Sequence, residues 1–263
     1  MYPVPFEYHR AGSVDEAVAL LGRFGESARL LAGGHSLLPL MKLRLAEPRH
    51  LVDIRRIPGL SGVREEGGAL IIGAATPHHF LETSPLVRER LPILSEAAAQ
   101  IGDAQVRNIG TIGGSLAHAD PAADLPAVML ALGAELVAVG PKGRRAIPVD
   151  RFFVKLFTTS LSPGELLTEV RVPVPVAGTG GAYAKFPHPA SRYAVVGVAA
   201  LVTVSARKIS AARVAITGVG ARAVRATATE AALVGNAPDA GVVASAAERA
   251  VDGLTVRDRK SVV

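Results

Sequence analysis

The chain has 263 residues, 49% of them hydrophobic, and 29 Lys+Arg against 23 Asp+Glu give it a formal net charge of +6. Cysteine is absent, which excludes disulfides, thiol nucleophiles, thiolate zinc sites and cysteine-ligated iron–sulfur clusters on this chain. The basic residues are scattered and only 4% of residues are aromatic, so the charge does not build a nucleic-acid stacking platform.

The opening "MYPVPFEYHRAG" has no signal-peptide pattern. The longest apolar stretch, Tyr193 to Ala206, is shorter than the roughly 20 residues that span a bilayer. A soluble, cytoplasmic protein is expected. In "SVDEAVALLGRFG", Ser13 with Glu16 three residues on has capping-box spacing, and Gly25 marks the stop. The strand "ARLLAGG" follows, then a helix "SLLPLMKLRLA" with Ser36 as its cap and Pro39 in its first turn, then the strand "HLVDI". This is a β-α-β unit of about 50 residues.

"GVREEGGALIIGA" reads as a hairpin through Gly67-Gly68. Thr76-Pro77 reads as a cap followed by Pro at the first helical position, with His78-His79 partly exposed in the first turn. "PLVRERLPILSEAAAQIG" suggests one longer helix, and "AELVAVG" with "RRAIPV" a second hairpin. "ELLTEVRVPVP" closes this region, and Ala177 to Ala182 reads as a linker. Two long alternating strands, "YAVVGVAALVTVSA" and "ISAARVAITGVG", then precede two helices, "RATATEAALVG" and "DAGVVASAAERAVDG". Strands first and helices after predict a layered α+β domain.

Two segments share a design. "AGGHS" (Ala32, Gly33, Gly34, His35, Ser36) and "TIGGS" (Thr111, Ile112, Gly113, Gly114, Ser115) each lead an apolar run into adjacent glycines and a serine. Without Cβ atoms, successive N–H groups can converge on an anion at a helix amino end. Hydrogen bonds to a charged group contribute about 1.5–3 kcal/mol each, which outweighs the ~1 kcal/mol entropic cost of a glycine. A diphosphate held between two such loops accounts for both; a pair of ordinary turns is the plainer alternative.

These segments, with "DPAADLP" after the second, resemble the FAD-binding medium subunit of aerobic carbon monoxide dehydrogenase and its relatives in the xanthine dehydrogenase (molybdenum hydroxylase) family. The resemblance runs from Tyr2 to about Leu254. It implies an α+β, vanillyl-alcohol-oxidase (PCMH)-like FAD-binding fold with subdomains 1–55 and 56–177 and a C-terminal α+β domain 178–263. It implies that Ala32 to Ser36 and Thr111 to Ser115 hold the FAD diphosphate, that Asp124 matches a carboxylate near the cofactor, and that Arg192-Tyr193 lie beside the isoalloxazine. Leu167 and Lys185 fall at flavin-contact positions, where a core leucine and a surface lysine are the plain readings.

Implied partners are an iron–sulfur small subunit and a molybdenum-cofactor large subunit, assembled as a dimer of heterotrimers in the cytoplasm or peripheral to the inner membrane face. The implied role is electron transfer from the iron–sulfur clusters to an external acceptor, with no catalytic residue on this chain. A self-sufficient flavin oxidase and a non-catalytic nucleotide- or nucleic-acid-binding module are the alternatives. The chain ends "VRDRKSVV" where the family carries a further helical stretch, a departure that bears on subunit docking.

Other patterns carry less. Gly218-x-Gly220-x-x-Ala223 outlines a dinucleotide fingerprint but lacks a following βαβ context, so a tight turn is expected. His118, Asp120 and Asp124 could be sketched as metal ligands, yet the two aspartates suit a helix amino end at Pro121 or Pro126, and no metal site is expected. No nucleophile elbow or P-loop occurs.

Overall fold

The computed structural model describes residues 2–256; of the end "VRDRKSVV", everything after Val256, including the basic run Arg257 to Lys260, lies outside them. The first unit holds β1 (Glu7–Arg10), α1 (Val14–Phe24), β2 (Ala28–Leu31), α2 (Leu37–Lys42) and β3 (His50–Asp53). Its sheet is parallel in the order β1-β3-β2. Ser13 caps α1, its Oγ accepting from the Glu16 N–H at 3.1 Å, while Gly25 at φ +54° ends the helix. β1, which the sequence reading left unassigned, completes the sheet beside β3.

The second unit holds β4 (Val63–Glu66), β5 (Ala69–Gly73), α3 (His78–Thr83), α4 (Pro85–Arg90), α5 (Pro92–Ala99), α6 (Ala104–Ile109), α7 (Ile112–His118) and α8 (Asp124–Leu132). It continues with β6 (Glu135–Gly140), β7 (Gly143–Pro148), β8 (Phe153–Lys155), β9 (Thr158–Thr159) and β10 (Leu166–Pro173). Five strands form an antiparallel sheet in the order β4-β5-β10-β6-β7. Both hairpins fall where the turn residues place them, with Gly67 and Gly68 at φ +59° and +76°.

The single long helix expected after Pro85 is two. Pro92 has no N–H to donate and disfavours helical backbone at Leu91, which sits at φ −136°, so α4 stops and α5 begins anew. Thr76 does not cap α3 either. Its hydroxyl accepts from the Gly62 N–H at 2.9 Å and donates to the Gly62 carbonyl at 3.1 Å, and Pro77 holds the cap position.

The third unit is an antiparallel sheet of β11 (Thr179–Pro187), β12 (Ala194–Ser205), β13 (Lys208–Thr217) and β14 (Val224–Arg225), followed by α9 (Thr227–Leu233) and α10 (Ala240–Glu248). The expected linker at Ala177 to Ala182 is largely strand: residues 179–182 pair with Ala200 to Thr203 on β12. Gly218 turns the chain at φ +93° and β14 follows six residues later, so the dinucleotide fingerprint is a turn.

α8 joins the last two units. All nine of its residues are buried, and it packs against β12 and β13. The preceding loop is held by the third sheet. Thr217 Oγ1 lies 2.8 Å from the carbonyls of both Pro121 and Ala123, the Gly218 N–H donates to Pro121 at 2.7 Å, and the Ala194 N–H donates to Ala122 at 3.1 Å.

Candidate functional site: a cavity for a dinucleotide cofactor

The loop Ala32 to Ser36 leaves the carboxyl end of β2 and enters α2. Gly34 lies at φ +73°, backbone that L side chains rarely adopt. Among the described residues, the N–H groups of Gly33, Gly34, His35 and Ser36 find no acceptor. Ser36 precedes α2 without capping it through its side chain, contrary to expectation. It lies near Tyr193 instead and pulls the phenol downward.

The second glycine pair differs from the first. The segment before it is the helix α6 rather than a strand, and Ile112 to His118 are themselves helical, with Thr111 as the cap. The N–H groups of the glycine pair and of Ile112 are spent. Ile112 donates to Thr76 at 3.1 Å, Gly113 to Ala74 at 2.8 Å, and Gly114 to Thr111 Oγ1 at 3.1 Å. Most backbone donors for an anion therefore come from the first loop, and the second offers a wall, the Thr111 N–H and the Ser115 hydroxyl.

The glycines of both segments also permit close approach. A Cβ on Gly33 would stand 2.5 Å from the Ile109 carbonyl oxygen, and one on Gly113 would stand 2.6 Å from both Cβ and O of Ala74. These neighbours are backbone or short side chains and cannot rotate away. Gly113→Val will therefore lower stability by about 1–3 kcal/mol through overpacking, in addition to weakening cofactor binding. Chemical denaturation of the cofactor-free variant checks this; wild-type stability would show that α7 can shift without cost.

The two segments face one cavity of about 1180 Å³, larger than the roughly 300–1000 Å³ of ordinary small-molecule pockets. Every residue expected at the site lines it except Ile112 and Lys185. Ile112 is wholly buried in the core. Lys185 is no surface residue: its side chain is 2% exposed and its Nζ lies 2.9 Å from Asp124 Oδ1, while also donating to the Gln100 carbonyl at 3.1 Å. The Tyr183 hydroxyl donates to the same carboxylate at 2.5 Å. Burial pushes the Asp124 carboxyl up and Lys185 with Tyr183 pulls it back, leaving a net upward shift. Burial beside this carboxylate also pushes the Tyr183 phenol up. Asp124 opens α8, so neither candidate proline begins the helix.

Leu167 on β10 meets the cavity from within the core. Arg192 and Tyr193 enter from the β11–β12 loop, where Arg192 sits at φ +59°. His188 braces that loop. Its Nδ1 lies 3.3 Å from the N–H groups of Ala190 and Ser191, and its carbonyl accepts from Arg192 at 2.8 Å. Burial, with Asp120 nearby, pushes the Tyr193 phenol up against the pull of Ser36.

His78 corrects the sequence reading most. Rather than partly exposed it is buried, lines the cavity, and its Nδ1 has no partner among the described residues. Burial, aided by the charges of His35 and Arg107, holds it down to about 4. Phe157 and His118, with rings 5.2 Å apart, also line the wall. His118, Asp120 and Asp124 do not converge as ligands: Asp120 accepts from the Ala122 N–H at 2.8 Å and Asp124 is engaged by Lys185.

A three-unit α+β fold around one large cavity, with unspent N–H groups at the end of a parallel strand, defines a dinucleotide-cofactor protein of the vanillyl-alcohol-oxidase-like class. The comparisons agree. Residues 4–175 match the FAD binding domain in molybdopterin dehydrogenase, and residues 181–261 the CO dehydrogenase flavoprotein C-terminal domain. The carbon monoxide dehydrogenase medium chain of Hydrogenophaga pseudoflava is 48% identical over 95% of this chain and 88% of its own. The 6-hydroxypseudooxynicotine dehydrogenase complex subunit alpha of Paenarthrobacter nicotinovorans is 45% identical over 97% of this chain and 86% of its own.

A solved structure of the Hydrogenophaga pseudoflava carbon monoxide dehydrogenase, lacking the Mo-pyranopterin moiety, matches with a TM-score of 0.95 and 50% identity over 98% of this chain and 90% of that one. The chain belongs to the family of FAD-binding medium subunits of molybdenum hydroxylases of the carbon monoxide dehydrogenase type. Its cofactor is FAD, and it is an oxidoreductase subunit. Among the described residues, no helix is long and apolar enough to cross a membrane.

Proposed function

We propose that this chain is the flavin station of a molybdenum hydroxylase. Electrons arrive from iron–sulfur clusters on a small partner subunit and leave to an external acceptor, while a large molybdenum-bearing subunit oxidises the substrate. The assembly is a dimer of heterotrimers, located in the cytoplasm or peripheral to the inner membrane face. The observation that carries the reading is the row of four unspent N–H groups at Gly33 to Ser36 on the wall of a cavity large enough for a dinucleotide. The complete lack of cysteine agrees, because it leaves iron–sulfur ligation to another chain. Relatives of 48% and 45% identity are named for carbon monoxide and for 6-hydroxypseudooxynicotine, which supports choice of substrate on a different subunit.

When bound, FAD supplies a ring that accepts electrons singly or in pairs. The loop Ala32 to Ser36 would hold its diphosphate, with Thr111, Gly113, Gly114 and Ser115 beside it on the adjoining segment. Arg192 and Tyr193 flank the ring, and the loop braced by His188 fixes their direction. Asp124, held by Lys185 and Tyr183, forms the rigid floor between the units 1–55, 56–177 and 178–263.

The isolated chain reconstituted with FAD tests this. It should bind one FAD non-covalently, released by acid or heat, and its flavin should be photoreduced and then reoxidised by dyes or quinones. It should show no turnover of carbon monoxide, purines or N-heterocycles until the other subunits are added. Steady substrate oxidation by this chain alone would establish a self-sufficient oxidase instead, and failure to take up flavin would favour a plain nucleotide-binding module.

A further inference from the structure

Glu7 and His9 alternate on β1 and so share one face of it, and parallel pairing sets Glu7 directly beside His50 on β3. Three ligand atoms meet there. His9 Nε2 lies 3.1 Å from His50 Nδ1, and Glu7 Oε2 lies 3.6 Å from the first and 3.4 Å from the second. Among the described residues this is the one group of three or more such side chains whose donor atoms converge.

The shape of that triangle is informative. A zinc ion bound at about 2.0–2.2 Å to imidazole nitrogen and carboxylate oxygen in a tetrahedron spaces its ligands about 3.3 Å apart. The three edges bracket that value, so one point lies about 2 Å from all three atoms. A hydrogen bond between the two imidazoles accounts for the shortest edge alone. It leaves the carboxylate oxygen near both nitrogens and hydrogen-bonded to neither.

The rings are also pre-set. Phe24 stacks on His50 at 3.8 Å between centroids and 11° between planes, and lies 4.8 Å from His9. Both histidine side chains are largely buried while Glu7 is 70% exposed, so any further coordination position opens to water.

We propose that Glu7, His9 and His50 form an accessory site for a divalent transition-metal ion of the zinc class. None of Glu7, His9 and His50 lines the flavin cavity, so the site is distinct from it, although the cavity reaches Gly25, Glu26 and Ala28 at the start of the neighbouring strand. Its effect is structural: it clips the edge strand β1 to the centre of the sheet. The sequence gives no sign of this cluster because 41 residues separate His9 from His50, and only the parallel register brings them together.

The test uses the full-length, FAD-loaded chain stripped with chelator, with Co²⁺ as the spectroscopic probe and Zn²⁺ in calorimetry. One equivalent of Co²⁺ should bind with the visible absorption of low-coordinate cobalt, and Zn²⁺ should displace it and raise the melting temperature. His9→Ala and Glu7→Gln should each weaken Zn²⁺ binding by at least the roughly 10–100-fold that even outer-shell changes cost. Both should keep wild-type flavin content and far-UV circular dichroism, which separates loss of ligands from loss of fold. Zn²⁺ affinity unchanged in both variants, or no binding at one equivalent to the wild type, would overturn the site.

Discussion

Lys185→Met should destabilise the protein by about 3–5 kcal/mol at neutral pH, the cost of leaving one member of a buried ion pair without its partner. The Lys185 and Asp124 side chains are 2% and 6% exposed, so solvent does little to screen the orphaned carboxylate. Tyr183 still donates to it and it stands at the amino end of α8, but neither supplies a full positive charge. At this chain length each kcal/mol moves the melting temperature by roughly 2–4 °C. Adding Asp124→Asn to Lys185→Met should recover most of the loss, because the double variant buries no uncompensated charge. A double-mutant cycle by chemical denaturation decides the point. If the single variant loses less than about 1 kcal/mol, or the double variant is no better, Lys185 does not neutralise Asp124.

Acid should weaken the fold through His78 well before the carboxylates are protonated. Its folded-state value is about 4, against 6.5 for an unperturbed imidazole. Between those values the unfolded chain takes up a proton that the folded chain refuses. Stability is therefore full above pH 6.5 and falls as pH drops towards 4, by about 3 kcal/mol in total. Asp53, held down to about 2 by Arg55 and Tyr8 against burial, weakens the fold only at lower pH. Asp124, shifted upward, contributes with the opposite slope. Subtracting the pH profile of a His78→Asn variant isolates the histidine. Parallel profiles for the two proteins between pH 4 and 6.5 would mean that His78 is charged in the folded state.

What the sequence revealed depended on how local each signal was. Caps, hairpins and the parallel unit around β2 and β3 are set by residues within a few positions of one another, and the structure places them accordingly. The failures are tertiary. Ala177 to Ala182 carries turn-forming residues, yet β12 offers a free edge and recruits residues 179–182 into its ladder. His78 follows Pro77 at a helix start, a place normally open to water, and only the packing of α3 beneath Gly110 buries it. The matching letters of the two glycine segments concealed different jobs. One leaves its N–H groups unspent, while the other uses its own to fasten α7 to Ala74 and Thr76. His188, which braces the loop carrying Arg192, stood between two prolines with nothing nearby to mark it.

The grip of the third sheet on residues 121–123 has a thermodynamic consequence. Those carbonyls hang from Thr217, Gly218 and Ala194, and the same short loop delivers Asp124 and Ala123 to the cavity wall. Residues of all three units line that cavity, so FAD seated in it as proposed would brace the units against one another. Occupancy and mechanical integrity then become one quantity governed by mass action. A hundredfold excess of free FAD over its Kd adds about 2.7 kcal/mol against opening, so a cell short of flavin holds this chain in a looser and more perishable form.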